Sequence, residues 1–189
     1  MKIGILGGTF NPPHIGHLIL AQEAKDRFNL DKIFFIPVYL PPHKDIPLAK
    51  AEDRLEMVRL SIKDNESFEC LDIEVKRGGK SFTIDTLKEL KKKYPHDHLF
   101  LIIGSDLAKD FSNWKNCEEI IKIAKVLVAR RNKELTTFED NKFGFLFFDI
   151  IQVDVSSSLI RERIKKGLSI RYLVHPEVEK FIKKRKLYQ

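Results

Sequence analysis

Residues 2–17 read Lys2-Ile3-Gly4-Ile5-Leu6-Gly7-Gly8-Thr9-Phe10-Asn11-Pro12-Pro13-His14-Ile15-Gly16-His17. An apolar run of strand length ends in two glycines, two prolines stiffen the loop, and a helical pattern opens near Ile15. Strand, glycine turn and helix together make the first half of an α/β unit. Outward from this stretch the same alternation continues. Strands are expected at residues 2–6, 32–38, 68–75, 98–103 and 125–129, with one or two more within 143–155. Helices are expected at 15–28, 51–63, 83–94, 118–123, 157–166 and 176–187. Gly167 closes the penultimate helix, and Pro176 opens the last. Strands of near-continuous Ile, Leu, Val and Phe between amphipathic helices imply an α/β fold: a Rossmann-like, mostly parallel sheet with helices on both faces.

The chain has 189 residues, 43% of them hydrophobic and 32% charged, with 14 Phe. That composition excludes disorder, and the length fits a single domain spanning residues 1–189 with a core of its own. No apolar run approaches the ~20 residues of a membrane span. The opening run is too short for a secretory signal. Cys70 and Cys117 lack the spacing of a metal or disulfide framework, which fits a reducing cytoplasm. The net charge of +7 lies wholly in residues 161–189, which hold ten Lys/Arg and three Asp/Glu. This asymmetry points to an anionic partner such as a nucleotide. A solvated basic helix face is the plain alternative for Lys180, Lys183, Lys184, Arg185 and Lys186.

In a parallel sheet, ligands bind beyond the C-terminal strand ends, where strand order reverses. Three loops are expected at that edge: residues 7–14, 104–106 and 156–158. Gly7 and Gly8 let the backbone approach a ligand closely. His14 and His17 are three apart and share the first helical turn, beside free amide N–H groups. Such a donor cluster suits phosphate oxygens; a zinc pair would lack a third ligand of obvious spacing. Ser156, Ser157 and Ser158 lie at a helix start, where a hydroxyl caps the helix or holds phosphate, with Ser157 the expected cap. Arg161, one turn further, can bind phosphate through two N–H donors. Asp106 follows a strand-ending glycine, where it either caps a helix or accepts ribose hydroxyls. Lys44 and Arg130 are cations near expected strand ends. Trp114 is the sole Trp and sits in a polar stretch, which suggests stacking on an aromatic ligand.

The stretch GGTFNPPHIGH resembles the HxGH signature of the nucleotidyltransferase superfamily of adenylyl- and cytidylyltransferases. Residues 155–161, VSSSLIR, resemble its second signature, ISSTxIR, departing only at Val155 and Ser158. The middle segments resemble bacterial nicotinate-nucleotide adenylyltransferases: residues 41–44 (PPHK), 81–87 (SFTIDTL), 104–106 (GSD), and Phe111 with Trp114. Phosphopantetheine and nicotinamide mononucleotide adenylyltransferases remain as alternatives within the superfamily. A synthetase-like RNA-binding protein is a further alternative, because residues 14–17 also spell HIGH.

The resemblance implies transfer of AMP from ATP to nicotinate mononucleotide, with Mg²⁺ accompanying ATP. It implies no resident metal, nucleic acid or membrane, and it allows a homo-oligomer. His14, His17 and Arg161 would be catalytic. ATP would be held by Gly7, Gly8, Thr9, Phe10, Gly16, Gly104, Asp106, Ser156, Ser157, Ser158 and Arg161. The nicotinate nucleotide would be held by Asn11, Lys44, Ser81, Phe82, Thr83, Trp114 and Arg130.

Overall fold

The computed structural model describes residues 1–41, 49–130 and 141–189. Lys44 lies outside these. Six strands form one sheet: β1 (Lys2–Gly8), β2 (Lys32–Pro37), β3 (Phe68–Cys70), β4 (His98–Gly104), β5 (Ala124–Arg130) and β6 (Leu146–Asp149). Their order is β3-β2-β1-β4-β5-β6, and every neighbouring pair is parallel. The chain builds outward from β1 in one direction and then returns to add β4 on its other side. The reversal therefore falls between β1 and β4, whose C-terminal ends are Gly8 and Gly104.

The helices are α1 (Ile15–Phe28), α2 (Ala51–Ile62), α3 (Ile73–Arg77), α4 (Thr83–Lys93), α5 (Ser105–Lys109), α6 (Cys117–Ile123), α7 (Ser157–Lys165) and α8 (Pro176–Arg185), with a 3₁₀ turn at Phe111–Asn113. Strand residues alternate between two buried layers. Ile3, Ile5, Phe34, Ile36, Leu99, Leu101, Ile103, Val126 and Val128 pack with Ile84, Leu87 and Leu90 of α4 and Ile120 of α6. Leu6, Ile33, Phe35, Phe100, Ile102, Leu127 and Phe148 pack with Ala21 and Ala24 of α1 and Val58 and Ile62 of α2. Both faces are thus covered, which explains the continuous apolar strands. Gly4 belongs to this second layer: a Cβ there would lie 2.5 Å from Ile33 Cδ1 and 2.9 Å from Leu30 Cδ1. A third cluster joins α2, α7 and α8 through Met57, Val155, Ile160, Val178, Ile182 and Tyr188.

Three expectations need correction. The strand expected over residues 68–75 stops at Cys70, and residues 73–77 form α3. Leu71, Ile73 and Val75 alternate with polar residues, but five residues are too few to separate the two periods, and β3 pairs only with Ile33, Phe34 and Phe35. The loop after Gly104 is instead the short helix α5. Helix α8 ends at Arg185, where Lys186 takes a left-handed cap.

Candidate functional site

Beyond the ends of β1 and β4 lies a cleft of about 1120 Å³. Its walls include Gly7, Gly8, Thr9, Phe10, Asn11, His14, Gly16 and His17 from the first loop and α1. Gly104 comes from the end of β4, Asp106 from α5, and Ser157, Ser158 and Arg161 from α7. The fold brings together three segments that are far apart in sequence. Leu6, Leu20, Pro41, Ile102, Ile103, Leu107, Ala129 and residues 150–153 complete the lining with mostly apolar groups. Such a cleft can seat a base on its apolar part and phosphates on its donor-rich part.

The first loop keeps its shape because outside side chains hold its carbonyls. Arg54 Nη1 donates to Thr9 O at 2.8 Å, Arg161 Nη1 to Asn11 O at 2.8 Å, and Ser157 Oγ to Pro12 O at 2.7 Å. Phe10 adopts φ 48°, rare for a bulky residue, and is buried against Phe35 and the edge of His17. The Asn11–Pro12 peptide bond is cis. With carbonyls engaged elsewhere, the loop presents little acceptor charge to an anion.

The two histidines lie against one another, ring centroids 3.8 Å apart. His17 Nδ1 accepts the backbone N–H of His14 at 3.1 Å, and His17 N–H donates to His14 O at 2.9 Å. Accepting at Nδ1 puts the neutral ring's proton on Nε2, so His17 can offer one N–H to an anion. Gly16 permits this pairing: a Cβ there would meet His14 Nδ1 at 3.0 Å and Val155 Cγ1 at 3.2 Å.

At α7 the three serines divide their work. Ser156, not Ser157, caps the helix, its Oγ accepting from Leu159 N at 3.1 Å. Ser157 is engaged with Pro12, and Ser158 Oγ accepts from Arg161 Nη2 at 3.2 Å. Ser156 does not line the cleft; Ser157 and Ser158 do.

Among the described residues expected to hold the second nucleotide, only Asn11 lines the cleft. Ser81 Oγ accepts from Tyr39 N at 3.1 Å, beside the start of α4. Phe82, not Thr83, occupies the cap position of α4, and Lys115 Nζ sits 4.5 Å above its ring while pairing with Asp85 at 3.2 Å. Trp114 is half-buried, its ring 5.3 Å from that of Phe111, so its neighbours in space are apolar although its neighbours in sequence are polar. Arg130 Nε pairs with Asp149 Oδ1 at 2.9 Å across β5 and β6.

Arg54 was not foreseen. It is 1% exposed, and burial pulls its guanidinium below its usual pKa. Its donors reach four carbonyls, those of Ala49, Thr9, Val38 and Tyr39. The signal was present: Arg54, Val58 and Ile62 share one helical stripe, and a charge on an apolar stripe must find partners. Tyr188, buried in the third cluster, also went unread; its hydroxyl donates to Asn11 Oδ1 at 2.8 Å.

A parallel sheet ordered this way, with imidazole, hydroxyl and guanidinium groups gathered at its reversal, is the architecture of an α/β nucleotidyltransferase. The cytidylyltransferase-like family model matches residues 5–163. A Dictyoglomus thermophilum protein named "probable nicotinate-nucleotide adenylyltransferase" is 45% identical, over 100% of both chains. A Shouchella clausii protein of the same name is 42% identical over 99% of this chain and 96% of its own. Among solved structures, Plasmodium falciparum nicotinic acid mononucleotide adenylyltransferase superposes with TM-score 0.84 when complexed with NaAD and 0.81 when complexed with APC. Those matches are 21% and 20% identical and cover 99% of this chain and 97% and 96% of theirs, so they speak to the fold. The chain belongs to the nicotinate-nucleotide adenylyltransferase branch of the cytidylyltransferase-like family.

Proposed function

We propose that the chain transfers AMP from ATP to nicotinate mononucleotide, releasing pyrophosphate and forming deamido-NAD, within one domain of 189 residues. The observation that carries this reading is the meeting of residues 7–17 with residues 157–161 in one cleft, joined by Ser157 and Arg161 to loop carbonyls. The full-length likeness to proteins of that name supports the acceptor.

The acceptor's phosphate oxygen attacks the α-phosphorus in line, and pyrophosphate leaves. This nucleophile is already ionised, so the protein need supply no base. Its tasks are positioning and stabilising charge on the phosphoryl oxygens. His17 would donate Nε2–H at the α-phosphate, with His14 beside it. Ser158 and the remaining donors of Arg161 would hold the outer phosphates, and Asp106 would accept from ribose. Mg²⁺ enters as part of the substrate MgATP, coordinated by phosphate oxygens and water. The cleft's imidazole, hydroxyl and guanidinium donors suit phosphate oxygens that carry such an ion.

The nicotinate ring would lie toward the start of α4 and Trp114. A nicotinate carboxylate can accept from main-chain N–H groups there, whereas a nicotinamide NH₂ would set donor against donor. An unpaired buried donor costs about 1–3 kcal/mol and a helix N-terminus favours an anion by ~0.3–1 kcal/mol, so the acid should be preferred by at least about tenfold in kcat/KM. The test is pyrophosphate release from MgATP with nicotinate mononucleotide, nicotinamide mononucleotide, FMN and phosphopantetheine. Turnover restricted to the first is expected. Equal use of the two pyridine nucleotides would remove the deamido assignment, and turnover with phosphopantetheine alone would move the enzyme to another branch.

A further inference from the structure

The end of the chain folds back toward the cleft. After α8, Lys186 and Tyr188 both take left-handed backbone conformations, φ 52° and 66°. The cap N–H of Lys186 returns to Ile182 O and Lys183 O, and Leu187 N–H to Ile182 O. This turn delivers Tyr188 into the third cluster, where it is 7% exposed beside residues of α2 and α7. Arg185 braces the same end, pairing with Asp53 at 2.9 Å.

Asn11 lines the cleft three residues before His14 and is itself buried. Its Oδ1 accepts the Tyr188 hydroxyl at 2.8 Å and Ala49 N–H at 3.3 Å. Ala49 N–H can only donate, so the end of the amide facing it is the oxygen. Burial pushes the Tyr188 phenol above its usual range, so it stays protonated and donates throughout the neutral pH range. Two donors on the oxygen leave the Asn11 NH₂ as the end free to turn elsewhere.

We propose that Tyr188 is a positioning residue: with Ala49 it fixes the Asn11 amide so that Nδ2 donates to a phosphate oxygen of bound nucleotide. The C-terminal tail thereby becomes part of the phosphate site. The inference rests on the proposed reaction only in taking MgATP as the ligand.

Two measurements test it. In protein labelled with ¹⁵N-asparagine, the Asn11 side-chain NH₂ pair is identified by its loss in Asn11→Ala. Adding MgATP to wild type should shift that pair, and a pair that stays put at saturation would overturn the proposal. This reading needs no acceptor and no turnover, so it stands apart from the choice of acceptor. The second measurement is kinetic. Tyr188→Phe keeps the ring and removes the hydroxyl; kcat/KM for ATP should fall about 5- to 30-fold. The double variant with Asn11→Ala should be no slower than Asn11→Ala alone, because the hydroxyl acts through that side chain. Leu187→Ala, which trims a neighbouring apolar side chain but keeps the backbone turn and the hydroxyl, should keep kcat/KM within about twofold of wild type. A fully active Tyr188→Phe, losses that multiply in the double variant, or an equal loss in Leu187→Ala would each defeat the assignment.

Discussion

Ser157 Oγ donates to the carbonyl oxygen of Pro12 at 2.7 Å, across 145 residues of chain. The contact ties the helix that carries Arg161 to the loop that carries His14. Arg161 repeats the link on the adjacent carbonyl, Asn11 O. A shift of α7 relative to β1 would therefore displace the loop that carries His14 and the helix that carries Arg161 together. The loop's geometry is set by distant side chains as much as by its own glycines and prolines.

His17 can donate through Nε2 because its Nδ1 is occupied by His14 N–H. If that donation strengthens as charge builds at the α-phosphate, His17→Ala should lower kcat by roughly 10²–10³. ATP affinity should fall much less, since ground-state contacts are shared among many groups. Steady-state kinetics beside a direct ATP titration separate the two effects. A variant within threefold of wild-type kcat would remove His17 from the chemistry.

Gly16→Ala offers a cleaner separation of stability from activity. An added Cβ meets His14 Nδ1 at 3.0 Å and Cε1 at 3.1 Å, so the ring must move by a few tenths of an ångström. Alanine is also the better helix former, by ~1 kcal/mol in a helix interior. The melting temperature should hold or rise while kcat falls at least about tenfold, because the donor geometry is strict. Unchanged kcat would show that His14 has more freedom than the packing implies.

Arg54 makes the opposite case, a charged residue whose main effect is on folding. Arg54→Met fills similar space but leaves four carbonyls without their donor. The expected loss is about 3–5 kcal/mol, a lowering of the melting temperature by at least about 6 °C. Thermal denaturation measures it directly. A loss below about 1 kcal/mol would mean that water replaces the guanidinium without cost.

The fold was legible because the strands are buried on both faces and read as continuous apolar runs. The apolar runs at 2–6 and 98–103 announced β1 and β4, which extend to the glycines Gly8 and Gly104. The cleft residues His14, His17, Ser158 and Arg161 were legible for a local reason: each lies within about a turn of a helix start. The packing of Trp114 was not legible from its polar sequence neighbours, because its contact with the Phe111 ring is set by tertiary structure. Arg130 has a β6 partner, Asp149, that strand register alone determines. Ser156 rather than Ser157 caps α7 because Ser157 is already the first helical residue, so the cap falls one position before it. Tyr188 had no local signal, for its partner is 177 positions away.

Glu74 supplies the pH-dependent test. It is 5% exposed, and Thr86 Oγ1 donates to its Oε1 at 2.6 Å while accepting from Arg77 Nη2 at 2.9 Å. Burial raises its pKa above the usual carboxylate value; the hydroxyls of Thr86 and Ser81 and the charge of Arg77 oppose that rise without cancelling it. The native carboxyl thus holds its proton more tightly than the unfolded chain does. Its favourable contribution to stability is fully present below the ordinary value of 4.5 and is lost as pH climbs through the raised native value. Glu74→Gln keeps the shape and the acceptor oxygen but has no proton to lose. The melting temperature of the variant minus that of wild type should therefore become more positive between pH 4 and pH 8, with most of the change above the ordinary carboxylate value. Paired thermal scans across that range decide it: a flat difference would show that Arg77 and the two hydroxyls fully compensate the buried charge, and a falling one would reverse the sign argued for Glu74.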